Sequence, residues 1–119
     1  MKEVLVVEDE VLVGMMLARR LRTAGYTVGD VATSGEEALR RAKEESPNVI
    51  LMDITLSGEL DGIEAAAEIK RELDIPVIIF TGYDEKLIDQ QTRVLNPFAV
   101  ISKMAPFSSV TKAIEKALA

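Results

Sequence analysis

The sequence has 119 residues, 48% apolar content, a formal net charge of −6, and neither cysteine nor histidine. That length holds one domain of ordinary size with a real core, and it excludes disulfides, thiolate- or imidazole-bound zinc and histidine general-base catalysis, so that any divalent metal must be held by oxygens. The fourteen scattered Lys and Arg residues do not make the basic surface that nucleic acid requires.

Strand-like and helix-like segments alternate from end to end. Residues 3–7 read as a buried strand that stops at the acids Glu8-Asp9. A helix follows over 10–24, with Val11, Leu12, Met15, Met16, Ala18 and Leu21 in a broad apolar stripe and Gly25 as its stop. Residues 27–32 alternate less cleanly and predict a strand nearer the sheet edge. Thr33 or Ser34 caps the next helix, which runs to about Glu45 and ends at Ser46-Pro47, with Glu36 and Glu37 at the favoured end of its dipole.

Residues 49–53 predict the central strand, an apolar run broken by the charge of Asp53. A loop over 57–62 leads, through Asp61 as cap, into a helix over 62–73. Asp74-Ile75-Pro76 stops that helix before a strand over 77–80, which ends in Thr81-Gly82. A more polar helix is expected over 84–95 and is broken by Asn96-Pro97. A fifth strand over 98–101 runs into Ser102-Lys103, and a last helix covers 108–118.

Apolar strands alternating with helices imply a parallel sheet covered on both faces. Right-handed crossovers then favour an α/β, doubly wound (βα)5 flavodoxin-like three-layer sandwich with strand order 2-1-3-4-5. In that order the first and third strands lie side by side at the switch point, where ligands bind. Glu8-Asp9 and Asp53 therefore meet at one edge, with Thr81 and Lys103 beside them.

Three carboxylates in one pocket repel one another unless a hard cation removes the repulsion. Asp9 and Asp53 can bind such a cation directly, Glu8 through a water, and the backbone carbonyl of Thr55 is a further ligand. With the charge neutralised, Asp53 can attack an activated phosphoryl group to give an acyl phosphate. Lys103 supplies a second positive charge, Thr81 a hydroxyl donor, and Gly82 leaves the approach open. Each residue alone also reads as a turn, cap or surface residue; their joint position after four strands favours the functional reading.

This constellation resembles the receiver (CheY-like) domain of two-component response regulators, over the whole chain. Val4-Leu5-Val6-Val7-Glu8-Asp9-Glu10 carries the acidic pair, Leu51-Met52-Asp53-Ile54 the phosphoacceptor, Phe80-Thr81-Gly82 the conformational hydroxyl residue and Lys103 the signature lysine. The resemblance implies a single receiver domain over 1–119 with no output domain. It implies phosphorelay signalling in the cytoplasm: a sensor histidine kinase or phosphotransfer protein donates a phosphoryl group to Asp53 with Mg2+ (Mn2+ being possible). It implies a signalling phosphoacceptor rather than an enzyme, with at most self-catalysed phosphorylation and dephosphorylation. It also implies a downstream protein bound through the face of the fourth helix, fifth strand and fifth helix, with no nucleic acid or membrane as direct partner.

Two positions depart from the family pattern. Val100 stands where an aromatic switch residue is common, and Phe98 or Tyr83 is the substitute candidate. Met104-Ala105 replaces the usual proline-containing step after the lysine, so a trans bond before Met104 and a local rearrangement are expected. The main alternative is a degenerate receiver acting as a phosphorylation-independent interaction module. A haloacid-dehalogenase-like phosphatase would need an acid where Thr55 stands, and a flavin carrier would need a phosphate loop where Glu8-Asp9-Glu10 stands.

Overall fold

The computed structural model of the protein describes residues 2–53, 62–82 and 97–119. The expected helix over 84–95, the loop up to Asp61, and the candidates Thr55 and Tyr83 lie outside the described residues.

Four strands, β1 (Val4–Val7), β2 (Val49–Met52), β3 (Val77–Thr81) and β4 (Ala99–Ser102), form a parallel sheet in that order. The helices are α1 (Val11–Thr23), α2 (Gly35–Glu45), α3 (Gly62–Glu72) and α4 (Phe107–Ala117). Alternation along the strands sorts the core into two halves. Leu5, Val7, Ile50, Met52, Val77 and Ile79 pack with Ala38, Ala42, Ala65, Ala66 and Ile69 of α2 and α3. Val4, Val6, Val49, Leu51, Ile78 and Phe80 pack with Leu17, Ala18, Leu21, Val110, Ala113 and Ile114 of α1 and α4. The result is the three-layer α/β sandwich expected from apolar strands with no polar face.

The helix limits follow from local chemistry. Ser34 caps α2 by accepting the Glu37 N–H at 3.1 Å, and the Glu37 carboxylate accepts the Thr33 N–H at 3.0 Å. Ser46 ends that helix in the left-handed region, at φ 46° ahead of Pro47. Gly25, at φ 103°, turns the chain after α1, where a side chain would be strained. The fifth predicted strand is displaced by one residue, to Ala99–Ser102, and the last helix starts at Phe107.

Residues 27–32 correct one expectation. They do not form a strand; they touch β1 through two isolated parallel bridges, Glu3 with Thr27 and Val7 with Ala32. Gly29-Asp30 interrupts the run between them, and both residue types are poor strand formers. Between the bridges, two arginine side chains bond the backbone carbonyls. Arg22 donates to the carbonyls of Val28 (2.9 Å) and Gly29 (3.2 Å). Arg41, almost fully buried, donates to the carbonyl of Asp30 and to Glu45 at 2.7 Å. The segment keeps the edge position beside β1 through backbone bonds at Thr27 and Ala32, with arginine side chains serving the carbonyls between.

Candidate functional site

Glu8, Asp53 and Lys103 each sit just past the carboxyl end of a strand, and a backbone hydrogen bond ties each to the neighbouring segment. The Glu8 N–H donates to the carbonyl of Ala32 at 2.8 Å, Asp53 to Val7 at 3.0 Å and Lys103 to Thr81 at 2.7 Å. The alternation that buries Val6, Leu51 and Ile101 on the α1/α4 side carries Glu8, Asp53 and Lys103 toward that same side. Convergence is therefore a consequence of parity and of parallel register.

One carboxylate oxygen from each of Glu8, Asp9 and Asp53 lies within 4.8 Å of the others. Glu8 and Asp53 are buried, at 1% and 4% exposure, while Asp9 is half-buried and faces the opening. The Lys103 ammonium reaches into this cluster. It lies 2.9 Å from Glu8 Oε2 and 3.2 Å from Asp53 Oδ2. It donates to Glu8 Oε1 and to Asp53 Oδ2, each at 3.2 Å. Its approach to Glu8 Oε2 is close but off the hydrogen-bond angle, so that buried oxygen accepts no hydrogen bond. The Glu10 N–H orients the same carboxylate through Oε1 at 3.2 Å.

Burial pushes the Glu8 carboxyl up to about 7, and the Asp53 charge adds to the rise; hydrogen bonds from Lys103 and the Glu10 N–H oppose it. For Lys103, burial pulls downward, but the Glu8 hydrogen bond and the charges of Asp53 and Glu8 hold the ammonium above the usual lysine range. Three acidic oxygens, one of them buried and without a hydrogen bond, suit a hard divalent cation better than they suit one another.

Thr81 closes β3, fully buried and in register with Ser102. A Cβ on Gly82 would meet Lys103 Cδ at 3.9 Å, an ordinary contact, so Gly82 leaves room without being required by sterics. After Lys103 the chain turns tightly. The Ser102 hydroxyl accepts the Met104 N–H at 3.0 Å and the Ser102 carbonyl the Ala105 N–H at 3.0 Å. Among the described residues no peptide is cis, and this turn delivers Lys103 to the carboxylates. Val100 packs, half-buried, against the α2/α3 half of the core.

Gly14 is the positional residue that the sequence reading passed over. A Cβ there would lie 2.9 Å from Val31 Cγ1 and 3.4 Å from Glu8 Cβ. Its absence lets α1 lie close over Glu8. The signal in the sequence was a glycine in the middle of a helix, where it costs about 1 kcal/mol relative to alanine.

The family model described as the response regulator receiver domain matches residues 4–115. The chain is similar to the transcriptional regulatory protein PdtaR of Mycobacterium tuberculosis, 32% identical over 117 residues, 98% of this chain and 57% of that protein. It is also similar to the alkaline phosphatase synthesis transcriptional regulatory protein PhoP of Bacillus subtilis, 38% identical over 86 residues, 71% of this chain and 35% of that protein. The chain spans about half the length, or less, of these curated relatives. Among solved structures, the signal receiver domain of a modulated diguanylate cyclase from Desulfovibrio desulfuricans G20 superposes with a TM-score of 0.89 at 35% identity, over 98% of this chain and 92% of that one.

Proposed function

This chain belongs to the response regulator receiver domain family, and from that premise we propose that Asp53 is its phosphoacceptor, charged by a phosphohistidine of a sensor histidine kinase or phosphotransfer protein. A receiver domain of two-component response regulators is a signalling domain, and residues 1–119 would act as one such unit in the cytoplasm. Asp9 and Asp53 would hold Mg2+ directly and Glu8 through a water, with the carbonyl of Thr55 as a further ligand. Bound there, the cation would supply neutralising charge to the carboxylates and to the phosphoryl oxygens.

The chain's own residues do the rest. An Asp53 carboxylate oxygen attacks phosphorus, and an acyl phosphate bond forms. The bond from phosphorus to the donor's imidazole nitrogen breaks, and its electron pair stays on the imidazole. Lys103, held protonated beside Asp53, pairs with an incoming phosphoryl oxygen at the cost of its bond to that carboxylate. The Thr81 hydroxyl then donates to the transferred group. The charge added at Asp53 biases a two-state equilibrium read by a downstream protein on the face that includes β4 and α4. With Val100 packed against the core, that response does not pass through an aromatic side chain at this position.

The observation that carries this reading is the meeting of Glu8, Asp9 and Asp53 within 4.8 Å, with Lys103 bonded to two of them. Incubation with a small-molecule phosphodonor and Mg2+ tests it. Intact mass spectrometry is expected to register one added phosphoryl group, lost on chelation of the metal and in Asp53→Asn. No added mass, where a control receiver is labelled, would instead assign the chain to phosphorylation-independent protein binding.

A further inference from the structure

Lys103 carries its charge on a long flexible stem, so the aim of the ammonium depends on how the backbone beneath it is held. Confinement around the stem itself is light. A Cβ on Gly82 would stand 3.9 Å from Lys103 Cδ, so that side is open. The Phe80 ring centroid lies 6.0 Å from the ammonium, at the outer limit of a cation–π contact. The next side chain, Met104, stands in solvent at 90% exposure.

The backbone is held on both sides of Lys103. Its own N–H donates to the Thr81 carbonyl at 2.7 Å. Beyond it the Ser102 carbonyl accepts the Ala105 N–H at 3.0 Å, and Ala105 packs against the α1/α4 half of the core. The Ser102 hydroxyl adds a second closure by accepting the Met104 N–H at 3.0 Å. That bond closes a ring containing both backbone dihedrals of Lys103, so neither can turn far without stretching it. Along β4, Ser102 shares the side of Val100, which packs with α2 and α3, whereas Lys103 alternates to the other side. The hydroxyl therefore acts on the chain past Lys103 and not on the carboxylates.

We propose that Ser102 is a positioning residue for phosphoryl transfer to Asp53: its hydroxyl, by holding the Met104 N–H, fixes the backbone of Lys103 and so aims the ammonium at Asp53 and the incoming phosphoryl group. This rests on the reading of Asp53 as phosphoacceptor. Transfer depends on placement of charge more than on proton chemistry, so a lysine that wanders loses much of its effect without losing its charge. The side chain of Met104 has no part in this; only its backbone N–H is used.

Ser102→Ala, Ser102→Thr and Met104→Ala test the proposal through two readouts. The first is the mobility of Lys103 Cε in the metal-free protein, measured by nuclear magnetic relaxation. Ser102→Ala is expected to loosen it, whereas Ser102→Thr, which keeps a hydroxyl, and Met104→Ala leave it held. The second is the rate of transfer from a small-molecule phosphodonor at saturating Mg2+, followed by intact mass. Ser102→Ala is expected to slow it about three- to tenfold, the worth of one neutral hydrogen bond, and Ser102→Thr to restore it. A Ser102→Ala protein that unfolds at lower urea yet keeps Lys103 held would reduce Ser102 to a structural residue and overturn the proposal. A loosened Lys103 with an unchanged transfer rate would overturn it equally. Absence of transfer in the wild type would strike the phosphoacceptor reading instead, and the mobility comparison would still decide whether Ser102 holds Lys103.

Discussion

The Lys103 ammonium and the Glu8 carboxylate, far apart in the chain, meet at 2.9 Å inside the sheet edge. One cation thus compensates a buried acid whose other neighbours include a second acid. The carboxylates that would hold a metal are the same ones that hold the lysine, so lysine and metal are rivals for part of the same charge.

Lys103→Ala removes that rival. Mg2+ affinity, measured by calorimetry, is expected to stay level or rise. The metal-free protein is expected to lose about 1–3 kcal/mol of stability in urea unfolding, because Glu8 is left buried without its cation. The spectral response to phosphodonor is expected to be lost. A collapse of metal binding in this variant would contradict the competition.

Metal binding must displace the proton that Glu8 retains up to about pH 7. Affinity for Mg2+ is expected to climb by up to about tenfold per unit as pH rises toward 7 and to flatten above it. Titrations across that range check the slope, and Glu8→Gln is expected to flatten it.

The metal-free protein is expected to show the opposite trend. The folded-state value for Glu8, about 7, lies above the ordinary 4.5, so the folded state binds the proton more tightly. The stabilising contribution is complete below about pH 4.5 and is lost as pH rises through 7, by a few kcal/mol at most. Urea midpoints of the wild type minus those of Glu8→Gln, compared at pH values either side of this window, isolate the effect. A difference that grows with pH would refute it.

Gly14→Ala sets helix propensity against space. The helix gains about 1 kcal/mol, while a Cβ 2.9 Å from the stiff Val31 costs about 1–3 kcal/mol. The variant is expected to be less stable by about 1 kcal/mol and to bind Mg2+ more weakly as Glu8 is displaced. A stabilised variant with unchanged metal affinity would show that Val31 simply moves aside.

Arg41→Ala and Arg40→Ala separate a structural arginine from a surface one. Arg41 is almost buried and serves the Asp30 carbonyl, whereas the Arg40–Glu44 pair is 57% and 58% exposed. The first is expected to cost about 1–3 kcal/mol and to speed amide exchange at Thr27 and Ala32; the second is expected to stay within about 0.5 kcal/mol. Equal effects would remove Arg41 from its bracing role.

The strands and the converging acids could be read from the chain because both signals are local. An apolar run such as Val49 to Met52 buries on two faces, and the charge that ends it, Asp53, marks the exit from the sheet. The irregular path of residues 27–32 was hidden because its carbonyls are bonded by side chains of the flanking helices, Arg22 and Arg41, whose reach leaves no periodic signal. In α1 the apolar residues cover more than one face, so spacing could not tell that Leu17, Ala18 and Leu21 go inward while Met15 and Met16 stay out. Lys103 was recognised from its place after a strand, but its bond to Glu8 depends on a turn made by Ser102, which no motif announced.

The arginine-held border beside β1 has a bearing on solubility. A sheet that ends in a bare row of carbonyls invites a foreign strand to add on and seed polymerisation. Here the carbonyls of Val28, Gly29 and Asp30 are already claimed by guanidinium groups. That border is broken in register and its carbonyls are already bonded, which makes it a poor template for fibril growth.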